Sequence, residues 1–159
     1  MTNNQSRDVD TLAHFLEEAN KNTYANKAAA QVPASRLHSE DYHFEKDGLI
    51  YHDTYFGGRD FIGEEIVYKD QKLIWGANYF GIVLADEIGE KDIYDFLRKS
   101  LMQDYDDVIP VRGPSSFSER NWRYRFSAHG DLANFAGEEE IWLHEKVVYR
   151  LLIHGGFIR

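Results

Sequence analysis

FIGEEIVYKDQKLIWGANYFG, residues 61–81, lies over FAGEEEIWLHEKVVYRLLIHG, residues 135–155, without a gap when the chain is slid by 74 positions. Phe61/Phe135, Gly63/Gly137, Glu64/Glu138, Glu65/Glu139, Lys72/Lys146 and Gly81/Gly155 are identical. Six identities in 21 pairs exceed the roughly one or two that ordinary composition would give. Shared alternation accounts for apolar matches such as Val67/Ile141, but not for two FxGEE runs in register. The pattern predicts a duplicated unit.

Each copy follows a helical pattern. Leu12, Phe15, Leu16 and Ala19 keep the i, i+3, i+4, i+7 spacing of one apolar stripe, with Asp10 placed to cap it. Ile93, Phe96, Leu97 and Leu101 do the same after a break at Gly89. These helices match at a shift of 81, so the first copy is seven residues longer between helix and strands. Alternation and turn residues then predict a hairpin about Lys46-Asp47-Gly48 that ends at Gly57-Gly58, and strands over 61–68, 72–80, 121–128, 135–143 and 146–153. Parallel βαβ units would need a helix between successive strands, and only two helices are present. The predicted fold is α+β: a duplicated helix-plus-antiparallel-strands unit, one mainly antiparallel sheet, both helices on one face. Residues 1–8 are expected to be a flexible N-terminus, and 9–159 a single domain of two pseudo-symmetric halves, about 9–84 and 89–159.

Period-two alternation assigns faces. Phe61, Gly63, Glu65 and Val67 share one side of their strand, as do Phe135, Gly137, Glu139, Ile141 and Leu143. Leu73, Trp75, Ala77, Tyr79 and Val147, Tyr149, Leu151, Ile153 are the matching apolar sets on the next strands. Ile74, Phe80, Val148 and Leu152 belong to a mixed opposite face. Glu65 and Glu139 therefore fall among core residues, once per copy. A carboxylate there costs several kcal/mol unless it is paired or protonated. Arg36 and Arg112, in the two helix-to-strand loops, are the expected partners. The alternative is a carboxylate that waits in an aromatic pocket for a cationic ligand, with Tyr55, Trp75, Tyr79, Trp122 and Tyr149 as walls. Asp53, Tyr55 and Arg59 in YHDTYFGGRDF add a dense polar-aromatic cluster that would orient a small ligand or tie a strand end to its loop.

The bulk numbers narrow the function classes. A net charge of -9, from 27 acidic against 18 basic residues, repels phosphate backbones, so no nucleic-acid binding is expected of the chain by itself. The absence of cysteine removes disulfides, thiol catalysis and Cys-ligated zinc. No apolar run reaches the roughly 20 residues of a membrane span, and the start lacks a signal-peptide pattern. The expectation is a cytoplasmic protein without a membrane partner. None of the seven histidines stands at a metal-ligand spacing. Ser115, Ser116 and Ser118 follow Gly113-Pro114 and read as loop, not as a nucleophile elbow. Neither a cofactor nor a metal is expected.

The segments NTYA, YHDTYFGGRDFIGEE, VRGP and HGGFI resemble an uncharacterised bacterial domain family. Its members occur alone or behind Xre-type helix-turn-helix segments of transcriptional regulators. This resemblance carries no assigned activity. In architecture the predicted fold is also similar to gyrase-inhibitor-like ligand-binding domains, which hold cationic aromatic molecules with an internal Glu, although there the helix does not precede all strands. The expected function is a non-enzymatic domain that binds a small cationic or aromatic molecule near Glu65 and Glu139. The alternatives are an interaction module, such as a homodimer through the mixed sheet face, and a hydrolase or isomerase that uses paired carboxylates.

Overall fold

A computed structural model describes residues 3–106 and 108–159, with side chains from Val9 onward. The element order is α1 (Asn3–Asn22), β1 (Glu40–Lys46), β2 (Leu49–Gly57), β3 (Phe61–Lys69), β4 (Lys72–Val83), α2 (Glu90–Leu101), β5 (Ser116–Glu119), β6 (Trp122–Asp131), β7 (Asn134–Leu143) and β8 (Lys146–Phe157). All eight strands form one sheet in the order β1-β2-β3-β4-β8-β7-β6-β5, and every neighbouring pair is antiparallel. Two four-stranded meanders thus meet where β4 lies against β8.

The α+β class and the mainly antiparallel sheet agree with the sequence reading. Two-residue turns at Asp47-Gly48 and Asp70-Gln71 hold positive φ at both positions, the backbone whose twist matches paired strands. Three expectations need correction. The first helix begins at Asn3, so Asp10 lies inside the helix where it cannot cap the first turn. Residues 116–119 form the edge strand β5 rather than a loop; four residues are too few for alternation to register.

The third correction concerns the core sets. Register shifts between Val67 and Tyr68, and again between Ile141 and Trp142, leave Ile74 and Val148 as extra residues in their ladders. A β-bulge breaks alternation, and every residue beyond it turns over. Leu73 is therefore exposed, Val147 only half-buried, and Val148 buried instead. The two irregularities are 74 positions apart, as are the registers Phe61↔Gly81 and Phe135↔Gly155.

Leu12, Phe15, Leu16 and Ala19 of α1 and Ile93, Phe96, Leu97 and Leu101 of α2 are buried in the same cluster as Tyr51, Val67, Trp75, Ile141, Tyr149 and Leu151 of the sheet. On the opposite side of the strands Ile62, Phe80 and Leu152 are exposed. The long connection between α1 and β1 is fastened there by Asp41, whose carboxylate is fully buried. It accepts hydrogen bonds from Ser35 Oγ (2.5 Å), Ser39 Oγ (2.5 Å), Thr54 Oγ1 (3.0 Å) and a ring nitrogen of His52 (2.8 Å). Burial alone would favour the neutral acid, but these four bonds outweigh it and hold the Asp41 carboxyl well below the usual range.

An Asp41→Asn substitution sets an amide N–H group against donors and is expected to lower stability by about 2 kcal/mol. Because the folded-state pKa is depressed, this contribution is fully present above the unfolded value of 3.8, declines as pH falls below it, and is lost as pH passes through the depressed folded-state value. Urea unfolding at pH 7 and pH 3 would check this: the variant should be weaker at pH 7, with the difference shrinking at pH 3. Equal midpoints at pH 7 would contradict it.

Candidate functional site

Glu65 and Glu139 are both buried, on β3 and β7, and the two meanders treat them differently. Glu139 meets Arg112 from the loop after α2. Arg112 Nε donates to Oε2 and Nη2 to Oε1, both at 2.9 Å. The hydroxyls of Tyr124 (2.7 Å to Oε2) and Tyr149 (3.1 Å to Oε1) complete the set. Tyr124 is itself fixed by the Gly113 N–H at 3.0 Å. Burial works against the Arg112 charge, but Glu139 beside it keeps the guanidinium protonated well beyond its normal range. Arg112 is one of the two arginines expected to serve a buried acid, and Glu139 is the acid it serves.

Glu65 lacks the equivalent. Arg36, one of the two arginines expected to serve the buried acids, instead pairs with Glu64, the neighbouring residue, which points to the other side of β3. Side chains alternate along a strand, so an arginine that serves Glu64 cannot reach Glu65. What stands across the ladder from Glu65 is a second acid, Asp53 of β2. In the other meander the residue opposite Glu139 is Phe126. Glu65 Oε2 is buried with no hydrogen-bond partner among the described residues. Asp53 Oδ1 accepts from the Tyr79 hydroxyl at 2.5 Å. Tyr79 reaches it by crossing Gly63: a Cβ at Gly63 would stand 2.5 Å from the Tyr79 oxygen and 2.6 Å from the Thr54 carbonyl. Only a residue without a side chain leaves that path open.

Burial raises the Glu65 pKa to about 8; the Asp53 charge adds to the rise, and Arg112 and the Tyr51 hydroxyl oppose it. Burial likewise pushes Asp53 up to about 6, against the Tyr79 hydrogen bond and the Arg112 charge. Near neutral pH the two acids together keep about one proton.

Above this pair opens a cavity of about 180 Å³, which reaches the surface. Its floor is Asp53, Glu65 and Arg112, and its walls are mostly rings: Tyr24, Tyr51, Tyr55, Phe61, Tyr79 and Tyr94. Phe61 is the hub of these walls, with centroids 5.9 Å from Tyr79, 6.0 Å from Tyr94 and 6.3 Å from Tyr55. At the rim, the Arg98 guanidinium lies 4.0 Å from the centroid of Tyr24 and donates to the Tyr24 carbonyl. Exposed Glu40, Gly57 and Gly58 border the opening. Burial raises the Tyr24 phenol to about 12, so it stays neutral at physiological pH.

Of the residues singled out in the sequence, Asp53, Tyr55, Glu65, Tyr79 and Arg112 come together here. The others stand apart. Trp75 is fully buried, donates Nε1–H to the Leu132 carbonyl at 2.9 Å and stacks on Phe135 at 6.0 Å. Trp122 packs on Phe96 at 5.4 Å. Glu139 and Tyr149 sit behind Arg112 rather than on the cavity surface. Arg59 pairs with Asp86 at 2.6 Å, and its carbonyl accepts from Tyr94.

Residues 53–158 match the family described as "Domain of unknown function (DUF5680)". The chain belongs to that family. No curated protein and no solved structure matches it. The DUF5680 span contains Asp53, Glu65, Tyr79 and Arg112, whereas Tyr24, Glu40 and Tyr51 of the same cavity precede it. Tyr24, Tyr51, Tyr94 and Arg98 were not singled out from the sequence. Tyr51 was within reach, because it alternates with Asp53 and Tyr55 on β2. Tyr24, Tyr94 and Arg98 lie in or beside helices, and only tertiary packing brings them over β2 and β3. Among the described residues no group of three or more His, Asp or Glu side chains is placed to hold a metal ion, and no helix is long and apolar enough to cross a membrane.

Two outcomes follow from the unequal treatment of the acids. Glu139→Ala leaves Arg112 buried and unpaired and is expected to cost about 3–5 kcal/mol, read by chemical denaturation. Glu65 has a folded pKa above its ordinary 4.5, so the folded state binds the extra proton and stability falls as pH rises from about 4.5 to 8. Glu65→Gln should flatten that fall in thermal unfolding between pH 5 and pH 8. A variant curve parallel to the natural one would refute the assignment.

Proposed function

We propose that this DUF5680 domain binds a small organic cation of about one ring, with the positive group against Asp53 and Glu65 and the ring among the tyrosines. The observation that carries this reading is a buried acid pair without a base of its own, at the floor of an aromatic cavity. Arg112 does not neutralise it, since Glu139 already takes that charge through two hydrogen bonds. An ammonium or amidinium group would supply the missing donor and charge, and tyrosine faces attract cations.

Size sets the ligand class. Drug-sized ligands occupy roughly 300–1,000 Å³, whereas an engineered apolar cavity of about 150 Å³ takes up benzene. At about 180 Å³ the site suits a single ring with a short polar arm. The same raised Glu65 pKa also favours a second reading, an acid–base enzyme that uses the carboxyl pair for proton transfer; it differs in requiring that the ligand be consumed.

We also infer that the domain arose by duplication of a helix-plus-four-strand unit, with both helices on one face of the sheet and residues 9–159 forming one domain. The repeated registers and bulges at an offset of 74 support this. So does the ladder pair Tyr79↔Ile153 at the junction, whose members are themselves 74 positions apart. On that reading one half keeps its acid neutralised as scaffold, and the other half turns its acid towards a ligand. The resemblance to domains that follow helix-turn-helix segments fits an effector-sensing role.

Benzylamine and benzamidine should raise the melting temperature, and Glu65→Gln should abolish the shift. Affinity measured by titration calorimetry should rise about tenfold from pH 6 to pH 8, as the acid pair loses its proton and the cation remains charged. A cation panel without any melting shift would reject the proposal. Consumption of a bound probe would favour the enzymatic reading instead.

A further inference from the structure

Arg112 is needed by Glu139, but it also lines the cavity beside Asp53 and Glu65. Its Nε and Nη2 are committed to Glu139 at 2.9 Å each, and the geometry is bidentate. A guanidinium has five N–H donors in a fixed fork. With one edge held by Glu139, the Nη1 group points away from that carboxylate, and no acceptor among the described residues takes a bond from it. The buried arginine thus brings a rigid, unspent donor to the same floor that carries the two acids. Glu139, with Tyr124 and Tyr149 behind it, fixes the orientation of that donor.

Resting on the ligand-binding reading above, we propose that the ligand of this cavity carries a hydrogen-bond acceptor next to its cationic donor, the acceptor for Arg112 Nη1 and the donor for Asp53 and Glu65. The ligand class narrows from simple aryl amines to single-ring amines or amidines with an adjacent carbonyl-type oxygen. A ligand with only the cationic group would leave the Arg112 donor desolvated and unpaired, a penalty that falls on buried charged donors in particular. A ligand with only an acceptor would leave the acid pair unserved. The site therefore selects against both.

Two probes with equal numbers of heavy atoms separate the terms: phenylglycinamide, and 2-methyl-1-phenylpropylamine, in which an isopropyl group replaces the carboxamide. With both amines charged at pH 6, calorimetric titration of the natural protein is expected to give about tenfold tighter binding for the carboxamide. Pairing Arg112→Met with Glu139→Gln removes both buried charges together. In that double variant the ratio of the two affinities should fall to about one. Benzylamine binding with equal or better affinity for the isopropyl probe would overturn this inference and leave the cation site standing. Failure of benzylamine and both probes to bind would overturn the two together.

Discussion

Two carboxylates are buried on the same face of one sheet, and only one of them is given a base. Most of the molecule's individuality follows from that imbalance. Arg112 and the hydroxyls of Tyr124 and Tyr149 give Glu139 four hydrogen bonds, the degree of satisfaction that a buried carboxylate needs. Glu65, at the matching place in the other meander, faces Asp53 across the ladder. Burial, and after it the like charge within reach, makes the ionised state costly, so the pair retains a proton into the neutral range. A fold selected only for stability would place an apolar side chain or a base there, as Phe126 stands opposite Glu139. The acid pair is consistent with a site kept at some cost to the apo protein.

The scaffold around the pair is built to hold rings close to it. Gly63 clears a path for Tyr79 to reach Asp53. Phe61 spaces Tyr55, Tyr79 and Tyr94 around a common centre. The helices contribute the remaining wall, with Arg98 from α2 placed over Tyr24 just beyond α1. Rings of this kind lose little conformational freedom on binding and offer both an apolar face and a polar tip. Asp41, on the other side of the sheet, performs the purely structural counterpart: its four partners secure the long α1–β1 connection without opening onto the cavity.

Much of this is legible in the sequence because the strands alternate over most of their length. The 74-residue offset exposed equivalent strands, and period two placed Glu65 and Glu139 inward beside Tyr79 and Tyr149. The same rule misassigned Leu73, Val147 and Val148, since it has no way to register the extra residue of a bulge. Arg36 and Arg112 are both offered by their loop positions as partners for the buried acids; Arg112 reaches Glu139, whereas Arg36 goes to Glu64. The asymmetry of the site lies partly in the loops, whose conformation carries no periodic signal, and partly in the strand residues Asp53 and Phe126 that face the two acids. Tyr24, Tyr94 and Arg98 escaped for a related reason: their roles depend on how helices dock on strands distant in the chain.

The ionisation of Glu65 bears on all of this most directly. In protein carrying ¹³C-labelled glutamate, the Glu65 carboxyl resonance can be assigned through its loss in Glu65→Gln and followed from pH 4 to pH 10. A midpoint near 8, moving to lower pH when a small aryl amine is added, is the predicted result. A midpoint near the ordinary value of 4.5, unmoved by the amine, would mean that the acid is solvated or already paired, and the account of the cavity would fail.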